Sequence, residues 1–444
     1  SREMVVVRGT ITQNTTWTSD KKYLLNGFVY VEEGVTLTIQ PGTIIKGDLP
    51  TKGTLIIKPG AKILAEGTED KPIVFTSNQA IGQRKAGDWG GVIILGKAKV
   101  NKTPITIEGE NVTTFGGTND ADNSGILKYV RIEFAGVAFE TDKEINGLTL
   151  GGVGYGTKID YVQVSHSGDD AYEWFGGAVN CKHLVAYRGV DDDFDTDFGY
   201  AGNVQFGIVL RDSVIADISQ SEAFESDNDG KGSTLSPKTS AVFSNITAIG
   251  PRIDPISGKG NSLYRAGAHI RRNTGISIMN SIIAGWPVAI QFDASTGTAV
   301  DKNIDDSTIR IKNTTFAGNT ENIKYTVSGT PTGASSASLL TWFSNPFFGN
   351  TILNTAGPDV LKLIQPFNYT NPDFTPFANA NTSTANIAST LGTLGIGLHL
   401  DYSKNGAFTD AKLQNAFFEK VTFRGAVATS GVNQTWWKGW TVWK

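Results

Sequence analysis

Between Ser165 and Gly232 one short phrase occurs three times: an acid, a small or acidic residue, an aromatic, an acid. The copies are Asp170-Ala171-Tyr172-Glu173, Asp192-Asp193-Phe194-Asp195 and Glu222-Ala223-Phe224-Glu225. The first two begin 22 residues apart and the next pair 30 apart, with apolar runs between them (Cys181 to Tyr187, then Val204 to Leu210). One strand–turn–strand unit per repeat is the pattern of a solenoid, in which each unit buries its apolar face only by stacking on its neighbours. Stacked coils would pile Tyr172, Phe194 and Phe224 into an inward column. The same register would set Asp170, Glu173, Asp192, Asp195, Glu222 and Glu225 along one wall as an acidic ladder. Like charges at stacked-strand spacing are unfavourable unless a cation, a basic partner or raised pKa values relieve them.

The same rhythm extends through most of the chain. Pro41-Gly42 and Pro59-Gly60 lie 18 residues apart, each between apolar runs of period two, which is strand–turn–strand chemistry. The residues from Glu108 to Ser124 form a polar, Gly- and Asn-rich excursion read as a loop. Further along, Asn245, Asn280 and Asn313 open similar apolar phrases 35 and 33 residues apart. That spacing predicts a ladder of side-chain amides, each capping the turn below. From about Thr330 the pattern changes to linker-like and Pro-rich sequence, with short helices expected at Pro358 to Ile364 and Asp410 to Glu419. Trp436, Trp437, Trp440 and Trp443 crowd the end. The expected organisation is therefore all-β: a parallel β-helix over residues 1–330 and a C-terminal capping region over 331–444. The Trp-rich end is read as packing inside the cap.

Composition narrows the function. A net charge of -4, from 39 basic and 43 acidic residues, lacks the basic surface that general nucleic-acid binding needs. The single cysteine, Cys181, excludes disulfides within the chain and Cys-rich metal sites, and its apolar setting reads as a buried, inert thiol. No stretch is long and apolar enough to span a bilayer as a helix. The opening Ser1 is read as a processed N-terminus, and an anchor ahead of it would leave no trace in these residues.

Three phrases together resemble a known family. They are IQPGTIIKG with LIIKPGAKILAEGTEDKPIVFTS and GDWGGVIILGKA, the middle HSGDDAYEWFGGAVNCKHLVAYRGVDDDFDTD, and the ending FFEKVTFRGAV with WWKGWTVW. The resemblance is to secreted right-handed parallel β-helix proteins of pectate-lyase-like fold, typically outer-membrane surface lipoproteins of Bacteroidota. It implies a cell-surface location, held by an N-terminal lipid anchor not contained in this chain, beside components of an outer-membrane nutrient importer. It carries no agreed catalytic residues, and fold does not settle function.

The acids admit two readings. As a calcium site, Asp169, Asp191, Asp193 and Asp197 would add hard oxygen donors to the ladder, with Lys182, Arg188 and Arg211 as alternative neutralising charges. As a catalytic set, Ser167-Gly168-Asp169-Asp170 resembles the G-D-D phrase of polygalacturonase-type glycosidases, with Asp169, Asp170, Asp192 and His166 as candidates. The G-H-G phrase of those enzymes is missing; the nearest is Gly267-Ala268-His269-Ile270-Arg271-Arg272, and Arg310-Ile311-Lys312 follows well downstream. A lyase would need calcium and an Arg or Lys base, for which Arg265, Arg271 and Arg272 are present. His166, His183, His269 and His399 show no metal-ligand spacing and read as structural, with His166 placed to pair with Asp169. The incomplete catalytic set favours a non-catalytic surface protein that binds a glycan, a peptide or a partner protein. A polysaccharide hydrolase or lyase is the alternative.

Overall fold

In-register parallel pairing, one strand upon the next, builds this molecule. The computed structural model describes residues 1–141, 143–252, 260–329, 332–353, 363–376 and 406–444. They form two compact units. The first holds Ser1–Asn203, Thr234–Thr239 and Gly439–Thr441, and the second Val204–Ser233, Ser240–Lys438 and Val442–Lys444. The strands of both coil in the manner of a right-handed parallel β-helix.

In the first unit, one wall is made by the strands Thr54–Ile57, Gly91–Leu95, Leu148–Gly151, Tyr172–Phe175 and Phe194–Asp197. Their register places Leu55, Val92, Leu148, Tyr172 and Phe194 in one inward column, all without solvent exposure. Each such side chain contributes roughly 1.5–3 kcal/mol by leaving water. The Tyr172 hydroxyl is satisfied inside the core, within 2.8 Å of the Val162 carbonyl and 2.9 Å of the Val185 carbonyl. A second wall, Gly125–Glu133, Lys158–Ser165 and Asn180–Tyr187, bends at one left-handed residue per strand: Tyr129, Tyr161 and His183, with φ of 51°, 55° and 58°. Those three rings stack at 4.5 and 4.2 Å, and Trp440 packs edge-on against both tyrosines. Stacking offsets the strain that a non-glycine residue carries at positive φ.

In the second unit the inward column is Phe224, Ala268, Ile290 and Ile323. Coil strands continue past residue 330: Thr351–Leu353 pairs in parallel with Thr315–Ala317. The helix Ser336–Phe343 opens on a reciprocal capping box between Ser335 and Ser338, and its Phe343 stacks on Phe292 at 5.4 Å. Of the helix expected over Asp410 to Glu419, only the 3-10 turn Ala411–Leu413 forms, started by Asp410 accepting from the Lys412 amide. The helix expected over Pro358 to Ile364 lies mostly outside the described residues; its last two residues open the short strand Leu363–Gln365, paired antiparallel with Asp373–Pro376.

The asparagine expectation is corrected in an instructive way. Asn245, Asn280 and Asn313 do occupy one corner, each at positive φ (59°, 52° and 51°), where asparagine is better tolerated than most residues. Their amides do not ladder with one another. Asn245 Nδ2 donates to the carbonyls of Phe423 and Gly425, and Asn280 donates to the Ala407 carbonyl while accepting from its amide. The corner column thus holds the returning C-terminal segment against the side of the second unit. Arg424, nearly buried, reinforces it through Thr315, Thr351 and the Gly349 carbonyl.

Removing the Asn280 amide leaves the partly buried backbone N–H and C=O of Ala407 without that partner. Asn280→Ala is expected to cost about 2–4 kcal/mol and to open residues 406–426 to protease well before the coil strands. Cleavage no faster than in the parent protein would show that the segment is held by other contacts.

Candidate functional site

The wall that carries the repeated phrase is apolar on its outside at first. Ile56 and Ile93 face outward in the row that later holds Thr149, Glu173 and Asp195. Ile105, Ile107, Phe115 and Ile145 cover them. This sheath is pinned by Glu110, whose carboxylate accepts from the amides of Val112 and Thr113 and from the Tyr30 hydroxyl. The acids therefore begin where an apolar outer layer already excludes water.

Within the first unit the two copies of the phrase align residue for residue: Tyr172 over Phe194 and Glu173 over Asp195. The two rings lie 5.6 Å apart. Asp170, Glu173 and Asp195 each bring a carboxylate oxygen within 4.8 Å of the others, and Asp169, Asp170 and Asp191 do the same. Five carboxylates thus converge around Asp170. Asp193 and Asp197 join neither group: Asp193 is buried, and Asp197 accepts from the Phe198 amide at 2.8 Å. Asp170 is only 3% exposed and accepts the Asp192 backbone N–H at 3.0 Å, so it closes the turn of the next coil. Burial first, and then the charges of Asp169, Asp195, Glu173 and Asp191, push its pKa well above the usual carboxylate range. Glu173 is raised by the same combination, burial first and then Asp195, against a partly compensating hydrogen bond from Asn146.

The glycine of the Ser167-Gly168-Asp169-Asp170 phrase has a packing reason. The Gly168 amide donates to the Ala135 carbonyl, and a Cβ on Gly168 would fall 2.6 Å from the Gly136 carbonyl oxygen. Two turns meet backbone to backbone there, which only glycine allows. His166 stacks on Phe134 at 4.8 Å and meets Tyr187 edge-on. His183, beside Asp160 at 2.7 Å, ends the aromatic corner column. His399 lies outside the described residues. Cys181 is buried, and burial drives its thiol pKa up to about 12, as expected of an inert side chain. A cavity of about 370 Å³ lined by Lys97, Phe115 and Gly116 contains none of the repeat acids.

The third copy lies in the second unit, with basic groups beside it. Glu222 is fully buried, 3.3 Å from Arg265 Nε and 3.5 Å from His269 Nδ1. Glu225 lies opposite His269 in register and 2.5 Å from Arg271 Nη2, and Arg271 also grips Asp227 at 2.7 Å. Asp293 closes the network at 2.8 Å from His269 Nε2. Here guanidinium and imidazole groups offset the acids directly. Of the other cations proposed from sequence, Arg211 is buried against Tyr264, while Arg310 and Lys312 hold Asp410 at 2.5 and 2.9 Å. Arg310-Ile311-Lys312 is therefore a clamp on the C-terminal segment.

A family model, described as pectate-lyase like beta helix domain, matches residues 9–349. The chain belongs to this family. The match contains both acidic clusters and the His269 network, and ends just before the strand Thr351–Leu353. No curated protein and no solved structure matches the chain. For this pectate-lyase-like domain, then, the side chains themselves must carry the functional argument. Sequence reasoning missed the corner column of Tyr129, Tyr161 and His183. Its signal was present as a recurring aliphatic–charged–aromatic phrase: Leu127-Lys128-Tyr129, Ile159-Asp160-Tyr161 and, more weakly, Cys181-Lys182-His183.

Raised carboxylate pKa values make a signed prediction. A group that holds its proton more tightly when folded costs stability as pH rises past its unfolded pKa, near 4.5 for Glu173. In cation-free buffer at pH 7, Glu173→Gln should therefore stabilise the protein by about 1 kcal/mol or more. The gain should vanish towards pH 4, where the unfolded glutamate is protonated too. Urea titrations at the two pH values check this, and a destabilised variant at pH 7 would contradict it.

Proposed function

We propose that this protein is a non-catalytic binding protein whose β-helix wall takes an acidic glycan through a calcium-class cation held in the first unit. The observation that carries this reading is the convergence of Asp169, Asp170, Glu173, Asp191 and Asp195 in a partly buried cluster. Hard divalent cations want several oxygen donors, and carboxylates in this number supply charge as well as geometry. Asp169, Asp191 and Glu173 are the more exposed members and would leave the cation's outer side open to a ligand carboxylate. Asp170 is better suited to holding the site together, since its oxygen accepts a backbone amide of the next coil. A location on the outer-membrane surface, held by a lipid anchor and docked beside an importer, belongs to the same proposal and follows from the family resemblance.

A second reading has one observation in its favour. Asp170 and Glu173, with pKa values raised beside charged neighbours, are of the kind a glycoside hydrolase uses as its acid. The near burial of Asp170 counts against its reaching a glycosidic oxygen. Oxygen separations within 4.8 Å are shorter than the roughly 6.5–9.5 Å of an inverting carboxylate pair and nearer the roughly 5–5.5 Å of a retaining one.

Calcium titration separates the readings. At a hundredfold excess over Kd, calcium should stabilise the folded protein by about 2.7 kcal/mol and a chelator should reverse this. Asp195→Asn should abolish the effect. Retention on immobilised polyuronate should depend on calcium in the same way. An unchanged melting temperature would remove the cation from the account. New reducing ends or unsaturated products that are lost in Asp195→Asn would establish the hydrolase or lyase instead.

A further inference from the structure

The His269 network lies in the second unit, and the proposed cation site does not use it. His269 is fully buried, on the strand Tyr264–Arg271. Four strand or turn segments bring charge or polarity to it. Glu222 and Glu225 come from Ser221–Ser226, with Asp227 just beyond; Arg265 and Arg271 come from its own strand; Asp293 comes from Val288–Ala294; and Gln220 lies in the turn before Ser221. Arg272, 3.8 Å from Asp227, completes the set. Four carboxylates and three guanidiniums thus surround the imidazole.

Arg265 has three attachments, one of them the Glu222 carboxylate 3.3 Å from its Nε. Its Nη1 lies 2.6 Å from His269 Nδ1 and 3.2 Å from Nε2. Its Nε and Nη2 donate to Gln220 Oε1 at 2.9 and 2.6 Å, and Nη2 reaches the Ser219 carbonyl at 3.4 Å. A guanidinium has donors only, so this contact requires an Nδ1 lone pair. With the imidazole neutral, Nδ1 accepts from Arg265 and Nε2–H donates to Asp293. A proton on Nδ1 would set two cations edge to edge, while Glu222 and Glu225, at 3.5 and 3.9 Å, stand ready to accept the new N–H.

The residues Arg265 holds are one end of a turn, 212–220, that exposes two large apolar side chains: Val214 is 72% and Ile218 86% exposed. The other end is tied independently. The Ser213 amide donates to the Tyr369 hydroxyl, and Asn261 donates to the Val214 carbonyl.

We propose that His269 is an acid-sensitive latch on this turn: taking up a proton, it turns from Arg265 to the Glu222 and Glu225 carboxylates, and the Arg265 hold on Ser219 and Gln220 loosens. The turn that presents Val214 and Ile218 is then tight at high pH and mobile in acid. The surroundings place the transition in an accessible range. Burial alone would lower the His269 pKa, but the hydrogen bonds to Asp293 and Glu225 and the charges of Glu222 and Glu225 outweigh it and raise it above 6.5. The protonated form accordingly contributes stability that is complete below about 6.5 and is lost as pH rises through the raised value.

Amide hydrogen exchange across pH 5.5–8.5, corrected for the intrinsic rate, tests this on the whole chain. Exchange at residues 216–220 should increase several-fold on acidification while 213–215 changes little, with a midpoint matching the His269 ring-proton NMR titration. His269→Gln, which keeps an acceptor and cannot titrate, should remove the pH dependence. Asp227, raised to about 6 by burial against Arg271, titrates nearby and would leave a residual step if it were the true sensor. Asp293→Asn should move the midpoint to lower pH. If His269→Gln folds poorly, Arg265→Lys in its place should flatten the loop response while the His269 titration persists. A flat wild-type profile, a step that survives His269→Gln, or a midpoint indifferent to Asp293→Asn would each overturn the latch.

Discussion

In-register parallel stacking is the constraint from which the rest of this protein follows. Once each strand lies about 4.8 Å above its predecessor, every inward residue must pack on its counterpart and every outward residue must tolerate it. Inward, the rule is easily met: Leu55, Val92, Leu148, Tyr172 and Phe194 form one continuous apolar column. Outward, the same register places Glu173 over Asp195, an arrangement that cannot remain fully ionised without compensation. The chemistry of the molecule is the set of ways in which it supplies that compensation.

The two units answer the problem differently. In the first, carboxylates converge upon one another under an apolar sheath, and Asp170 and Glu173 hold their protons because burial and neighbouring charge make ionisation costly. Such a cluster stores unfavourable electrostatic energy that a divalent cation would release, which is why the cation and the ligand it recruits form the core of the functional reading. In the second, Arg265, Arg271 and His269 are built into the strands opposite the acids.

Corners show the same economy. A coil must bend between walls, and here the bend falls on single residues at positive φ. The first unit fills those positions with Tyr129, Tyr161 and His183, which stack. The second uses Asn245, Asn280 and Asn313, the first two of which turn their amides to the returning C-terminal segment. One backbone requirement thus serves as an aromatic column in one place and as a docking rail in another.

The sequence by itself determined the coil. The thrice-repeated phrase and the Pro-Gly spacing carry the strand period, and since side chains alternate strictly along a strand, period alone says which residues point inward. It also located the acids and named Asp170, Glu173 and Asp195 among them. What it could not decide is what each polar group meets, because those partners arrive from far along the chain. Gly168 stands in a phrase like that of a glycosidase, and its close contact with the Gly136 turn cannot be read from that phrase. The asparagines looked like a ladder until residues 406–426 were found in their place. Arg310 and Lys312 stand in an R-I-K phrase well downstream of the acids, and their partner Asp410 comes from the C-terminal segment. Periodicity is a local property that the chain writes directly. The neutralisation of a charge or the capping of an amide depends on which distant segment folds back, and only the tertiary structure decides that.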